Sequence, residues 1–379
     1  MKKILVIHTK YQIQGGEDIA VNNEVDFLKK HYEVRTIYFS NKIDSYLKQV
    51  INFLRNINNE SDKLIETEIK SFNPDLIYIH NTWFKGSLGI FKIAKKYKVK
   101  VALKLHNFRY DCTRFYLLKN HLSDNEICNA CGLESKKGKL FNKYFPDSYL
   151  KSFLIIWYGK KYFQILLDEN KTIFVLTEFH KNYLENDIGV TSKVINFPNY
   201  LNLNQKYDET NQKKYIVYAG RVSKEKGVEE LINSYLKINS TEFTLKIIGT
   251  GPQLEYLMNK YKQKNVEFLG QKSNNETLKI IYNSIAVVTA TKLLEGQPML
   301  LCEASSLGVP SVFPDNGGIS EFFPDKYKLK FNQNDYIDLC EKLKYLSNED
   351  LLKKIGIENK NHINKYLQED RLKKIVESI

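Results

Sequence analysis

Short, continuous apolar runs alternate with helix-spaced stretches along this chain, and the alternation starts twice. In the first half the runs are Ile4–Ile7, Val34–Phe39, Leu76–Ile79, Val99–Leu105 and Thr172–Leu176. Between them lie helical patterns, one running through Ala20, Glu24, Phe27 and Leu28. Runs without polar alternation belong to strands buried on both faces, so the pattern predicts parallel sheets covered by helices. The rhythm stops after Pro198, where 199–214 is polar and aperiodic and reads as a linker. It resumes with strand-like runs at Tyr215–Ala219, Phe243–Ile248, Val266–Leu269, Ile285–Thr289 and Pro310–Phe313. Helices are expected over Glu225–Leu236, after Pro252 and after Glu295. The expected architecture is α/β: two Rossmann-like, doubly wound parallel-sheet domains, 1–200 and 201–357, with a last helix at 358–379. Open sheets of this kind bind ligands at the carboxyl ends of their strands.

With 379 residues, 42% of them hydrophobic, each half can bury a core of its own. The formal charge of +13 favours anionic partners. A general lysine bias accounts for it equally well. No nucleic-acid-binding module is present, so nucleic acid is not an expected partner. The longest apolar stretch, Ser152–Tyr158, is far short of the ~18 residues of a spanning helix. The opening MKKILVIHTK reads as a buried strand and not as a leader, which gives a cytoplasmic expectation. Five scattered cysteines suggest no disulfide framework.

Three segments carry chemistry. In Glu295-Gly296-Gln297-Pro298-Met299-Leu300-Leu301-Cys302-Glu303, two carboxylates bracket a helix start with Pro298 in its first turn. Exposed N–H groups there favour anionic oxygen, and a carboxylate can accept both O–H groups of a sugar diol. The bland reading is a helix with two surface glutamates. In Gly220-Arg221-Val222-Ser223-Lys224-Glu225-Lys226-Gly227, a strand-to-helix turn, Arg221 offers a fork of donors and Lys226 a mobile charge, which together suit a diphosphate. The bland reading is a solvated basic loop. Gly249-Thr250-Gly251-Pro252, Gly15-Gly16 and Gly317-Gly318 with Glu321 are turns that let backbone approach a ligand, each weak alone. His106 and His80 each end a strand-like run, where an imidazole can face a site.

Taken together, GRVSKEKG, IIGTGP, LEGQPMLLCEASSLGVP and DNGGISE, in that order, make the chain resemble the large family-four retaining glycosyltransferases of GT-B fold. VLTEFHKNYL, the FPN ending at Asn199 and GGEDIAVNNEVDFLK extend the resemblance into the first half. It implies two domains facing a central cleft. It implies a donor nucleoside diphosphate sugar, UDP- or GDP-linked, held by Arg221 and Lys226 at the diphosphate. Glu295 would face the sugar, Glu303 the ribose, and Gly296 to Leu300 the sugar and phosphate. Gly16, Gly220 and Gly249 would approach the donor, and His106 the reacting sugar. Glu295, His106, Arg221 and Lys226 form the implied catalytic set. Gln297 stands where the family usually has an aromatic residue, which leaves the donor sugar open. The resemblance also implies retention at the anomeric carbon, and the last helix resembles one that packs back on the first domain.

The chain has no D-x-D, which fits a leaving group stabilised by Arg221, Lys226 and a helix start with no cofactor and no active-site metal required. Surface polysaccharide assembly, with a glycan or lipid-linked acceptor at the inner membrane face, is the expected setting. Two other enzyme readings remain: a GT-B nucleotide-sugar epimerase, and an NAD-dependent oxidoreductase, although no G-x-G-x-x-G follows a strand.

Two features lie outside these motifs. The insert at about 107–150 holds Cys112, Cys128 and Cys131 with His106 and His121 nearby, a candidate four-ligand structural zinc site or simply packed thiols. The stretch 136–163 interleaves lysines with aromatic residues. It reads either as a peripheral surface for anionic lipid or as a core helix with lysines toward water.

Overall fold

The computed structural model describes residues 1–379 except 11–14, 41–45, 56, 84, 122–125, 135–140, 146, 203–206 and 208–213, together with the side chains of 46–49 and 53. Most of the expected linker and part of 136–163 therefore lie outside the described residues. The chain divides into two units, Met1–Leu201 with Glu369–Ile379, and Asn202–Gln368.

The first unit is built on six parallel strands: β1 (Lys3–Lys10), β2 (Glu33–Ser40), β3 (Leu76–Asn81), β4 (Lys100–Lys104), β5 (Thr172–Val175) and β6 (Lys193–Asn196), in the order β2-β1-β3-β4-β5-β6. Alternation along each strand sends side chains to opposite faces. Leu5, Ile7, Ile77 and Ile79 enter one core layer, with Ile65, Ile69 and Tyr158 from helices. Ile4, Val6, Leu76 and Tyr78 enter the other, with Val21, Val25 and Leu28 of the helix Gly16–Lys29. Both faces are thus covered, which is why these strands read as unbroken apolar runs. The last helix, Glu369–Glu377, adds Leu372 and Val376 to that second layer, and Glu369 bonds Lys30 Nζ and His31 Nε2 at 3.2 and 3.0 Å.

The second unit repeats the scheme with β7 (Tyr215–Ala219), β8 (Thr244–Ile248), β9 (Val266–Gly270), β10 (Val287–Val288), β11 (Ser311–Asp315) and β12 (Lys330–Asn332), ordered β12-β11-β10-β7-β8-β9, again all parallel. The chain returns to the first unit at Glu369, later than position 358. The helix Glu349–Tyr366 stays with the second unit because Ile355, Asn359 and Ile363 are buried there, and Asn359 Nδ2 donates to Tyr327 Oη at 3.2 Å. The outer strands β6 and β12 are not among the sequence expectations. They span only four and three residues and carry no long apolar run.

The strand order places the sites. Each sheet runs in opposite directions from a central pair, β1/β3 in the first unit and β7/β10 in the second. At such a switch point the loops at the carboxyl ends diverge and leave a crevice.

Candidate functional site

In the second unit, the loops that leave β7 and β10 meet at this point. Lys226, from the first loop, places Nζ 2.5 Å from Glu295 Oε1, from the second. Thr291 Oγ1 donates to the same oxygen at 3.2 Å, and Gly318 N–H donates to the Glu295 carbonyl at 2.9 Å. Both charged side chains keep about a quarter of their surface open (28% and 26%), enough for a ligand to reach them. Arg221 is exposed earlier on the same loop as Lys226, and its carbonyl accepts from the buried Tyr218 hydroxyl at 2.7 Å, which fixes the loop. Burial, then Glu295 and Glu225, push the Tyr218 phenol up, so it stays a donor.

Two glycines set how closely these loops pack. At Gly249, φ is +125° and a Cβ would lie 2.0 Å from the Gly220 carbonyl oxygen. At Gly227, φ is +66° and a Cβ would lie 2.0 Å from the Ala290 carbonyl oxygen. No other residue permits either approach. Pro298 caps the helix Met299–Ser306, with Gly296 and Gln297 buried before it and Met299 and Leu300 partly exposed in its first turn. Glu303 lies on this helix, part-buried. Burial pushes its carboxyl up to about 7, against a hydrogen bond with Asn274 that pulls it down.

The first unit builds its site from side chains instead. His80, at the end of β3, and His106, just after β4, stack with centroids 5.3 Å apart, and His80 Nδ1 lies 3.0 Å from His106 Nε2. One ring donates to the other, so at least one proton is fixed between them. Burial first, then the charge of neighbouring groups including Lys104 and His8, holds both imidazoles well below their usual range, so both are neutral. His8 packs edge-on to His80 and pairs its Nε2 with Asp18 Oδ1 at 2.8 Å. Asp18 Oδ2 accepts Gly15 N–H at 3.0 Å and so holds the start of the helix at Gly16. Gly15 and Gly16 have open space where a Cβ would stand, so the fold does not require glycine there.

Beneath the histidines lies a buried ion pair that the sequence reading did not single out. Lys104 Nζ contacts Glu24 Oε2 at 2.5 Å, both side chains wholly buried, and Tyr78 Oη donates to the other Glu24 oxygen. The available signals were a lysine inside an apolar strand and a glutamate on the apolar stripe of a helix. A cavity of about 300 Å³ opens above, lined by His80, His106, Asn107, Arg109, Tyr110 and Tyr144 among others.

His106 therefore faces His80 and this cavity. The cysteine cluster takes a different histidine: Cys112, Cys128, Cys131 and His121 bring their ligand atoms within 4.8 Å of one another. Of the stretch 136–163, the helix Tyr149–Leu166 packs into the core as the second reading expects. Leu154, Ile155, Ile156, Tyr158 and Tyr162 are buried, while Tyr149, Leu150 and Phe153 are exposed at its start with Lys151. Among the described residues, no helix is long and apolar enough to cross a membrane.

Comparison with known proteins places this geometry. Two six-stranded parallel α/β sheets are the fold of GT-B glycosyltransferases. Sucrose-phosphate synthase of Thermosynechococcus elongatus superposes with a TM-score of 0.71 over 98% of this chain and 96% of its own, at 14% identity. Anabaena HepE, solved with UDP-glucose, superposes at 0.68 over 100% of both chains, at 13% identity. Residues 201–366 match the family described as glycosyl transferases group 1. In sequence the chain is 27% identical over 172 residues to the amylovoran biosynthesis glycosyltransferase AmsD of Erwinia amylovora. It is 28% identical over 224 residues to the capsular polysaccharide biosynthesis glycosyltransferase CapM of Staphylococcus aureus. These matches cover 43% and 52% of this chain, and the chain spans about half the length of each relative, 49% and 58%.

Proposed function

We propose that the protein transfers a sugar from a nucleoside diphosphate sugar to an acceptor hydroxyl, with retention, in the assembly of a surface polysaccharide or lipid-linked glycan. The observation that carries this is the Lys226–Glu295 contact across the β7/β10 switch point, with Arg221 on the same loop as Lys226 and Glu303 on the helix Met299–Ser306 that follows Glu295. Arg221 and Lys226 take the diphosphate and balance the charge that grows as it leaves. On donor binding Lys226 is shared between phosphate oxygen and Glu295. Glu295 meets the sugar hydroxyls, and Glu303 accepts from the ribose diol. The group with the most to gain from this arrangement is the leaving diphosphate, so no metal is assigned to the step.

In the first unit, His106 faces the reacting sugar and the cavity beside it takes part of the acceptor. A neutral imidazole suits a hydroxyl, because it offers a donor on one nitrogen and an acceptor on the other. The acceptor oxygen attacks on the face from which the diphosphate leaves, and its proton passes to the departing phosphate. Gly15 and Gly16 leave room for donor oxygen to approach the helix start. The exposed Tyr149, Leu150 and Phe153, flanked by lysines, dock on an anionic lipid surface that presents the acceptor. A uridine donor is the first to test, since HepE was solved with UDP-glucose. The relatives' names in capsule and amylovoran synthesis support the setting. No observation favours an epimerase or an oxidoreductase.

The test is thermal stabilisation of the purified chain by UDP, GDP, ADP and NAD, with and without EDTA. A ligand at 100 times its dissociation constant adds about 2.7 kcal/mol. A shift with one diphosphate, unchanged by EDTA and lost in Arg221→Ala, is expected. A shift with NAD alone overturns the reading. Product stereochemistry by NMR then tests retention, and an inverted linkage sinks it. Co-sedimentation with anionic vesicles, reduced in a Leu150→Ser, Phe153→Ser variant, tests the docking surface.

A further inference from the structure

The insert after β4 gathers four metal-ligating groups from three separate places in the chain. Cys112 ends the short helix Arg109–Cys112, His121 follows the turn Leu118–Asn120, and Cys128 and Cys131 belong to one tight turn. We propose that Cys112, His121, Cys128 and Cys131 bind one structural zinc ion, and that this ion holds in place the wall of the first-unit cavity.

The distances suit the metal. Tetrahedral zinc with bonds of about 2.0–2.3 Å has ligand–ligand edges of about 3.3–3.8 Å. Here all four ligand atoms lie within 4.8 Å of one another, and Cys131 Sγ is 3.8 Å from His121 Nδ1. A small inward movement of each side chain closes the tetrahedron. Three cysteines and a histidine form a closed, four-coordinate set with no open position, which is the pattern of a structural site and not of a catalytic one.

The Tyr144 hydroxyl donates to Cys112 Sγ at 3.7 Å. In the zinc-bound form three thiolates share this space, and the cation among them offsets their repulsion. The turn that carries two of them is shaped by its backbone: Gly132 N–H donates to the Cys128 carbonyl at 2.8 Å, Cys128 N–H donates to the Leu133 carbonyl at 2.9 Å, and Gly132 has φ +75°.

The fourth ligand has an outer partner as well. His121 turns Nδ1 toward the sulfurs and Nε2 toward the Asn142 carboxamide. With metal on Nδ1, the ring proton sits on Nε2. Asn142 Oδ1 is buried and has no hydrogen-bond partner among the described residues, and in the zinc-bound form the carboxamide turns over to accept that proton, giving up the bond from Nδ2 to the Phe115 carbonyl at 3.3 Å. Binding releases the cysteine protons to solvent and changes no oxidation state.

The site is joined to the cavity. Cys131 and Tyr144 both line it, and on the far side of Cys112 the Thr113 backbone packs against Gly159, where a Cβ would lie 2.7 Å from the Thr113 carbonyl oxygen. Loss of the ion releases this wall and leaves the second unit untouched.

The full-length chain, purified under reducing conditions and reconstituted with Zn²⁺, is expected to hold ~1 zinc per chain by elemental analysis. Exchange with Co²⁺ is expected to give thiolate-to-cobalt charge-transfer bands and the visible bands of a tetrahedral ion. His121→Cys keeps the metal and shifts those bands, because four thiolates replace three and an imidazole. Asn142→Leu weakens metal affinity by about 10–100-fold. Cys128→Ser with Cys131→Ser abolishes binding. Should that variant fail to fold, the cobalt spectra of wild type and His121→Cys decide the matter. Hydrogen exchange on chelation should rise within 107–145 and not in 215–366. Zinc content near zero after reconstitution, or a Cys128–Cys131 disulfide in the reduced preparation, overturns the proposal.

Discussion

The two units are both doubly wound parallel sheets with different strand orders, 2-1-3-4-5-6 in the first and 3-2-1-4-5-6 in the second when each is numbered from its own first strand, and they build their candidate sites from different material. The second unit uses backbone: turns at the ends of β7, β8 and β10 pack so closely that glycine is obligatory at Gly227 and Gly249, and two part-exposed charges, Lys226 and Glu295, stand above them. The first unit uses buried side chains: Glu24, Tyr78 and Lys104 lie under His80 and His106, with His8 and Asp18 alongside. A charge left partly in water is held loosely and is free to change partner. A charge wholly buried is held by whatever was buried with it, and removing one partner disturbs the whole unit. The second site should therefore lose function without losing stability, and the first should lose stability before anything else.

That contrast can be broken most sharply at Lys104. Lys104→Met strands the buried Glu24 carboxylate with, among the described residues, only the Tyr78 hydroxyl bonded to it, and chemical denaturation should show a loss of about 3–5 kcal/mol. Adding Glu24→Leu should recover most of it. If the single variant is as stable as wild type, the buried pair is not what organises the first unit.

On the other side, Arg221→Ala and Lys226→Ala should lower the turnover number by about 10²–10³-fold, as removal of one group that stabilises developing charge does. Their melting curves should stay within about 0.5 kcal/mol of wild type. A large stability loss in either would show that the second site is no more separable from its fold than the first.

The glycines sharpen the comparison further. Gly249→Ala must move the Gly220 backbone and should cost about 2–4 kcal/mol. Gly16→Ala meets open space and should leave stability within about 0.5 kcal/mol while slowing transfer. If Gly16→Ala is also silent in transfer, the first-unit loop does not approach the donor.

The smallest effect is one of pH. Burial raises the Glu303 carboxyl to about 7, so between its ordinary value and pH 7 the folded chain holds a proton that the unfolded chain has released. Stability should fall as pH rises through that window, and Glu303→Gln should remove this part of the slope. Nucleotide affinity should run the other way, a few-fold stronger above pH 7, where the carboxylate is free to accept both ribose hydroxyls. A pH-independent affinity would separate Glu303 from the ribose.

The sequence by itself determined ten of the twelve strands and the second-unit motifs. Each of these depends on neighbours close in the chain: a strand pattern repeats every second residue, and a strand-to-helix turn needs its glycine within a few positions. GRVSKEKG and the Glu295–Glu303 segment are legible for that reason. Only the tertiary structure decided that Lys226 meets Glu295, that Lys104 pairs with Glu24, and that His121 joins the cysteines while His106 turns to His80. It also decided that the helix starting at Glu349 belongs to the second unit as far as Tyr366. These pairings join residues far apart in the chain, and burial removes the water that would otherwise satisfy each group alone. A polar side chain in an apolar run announces that it needs a partner, but its identity depends on which strands lie side by side.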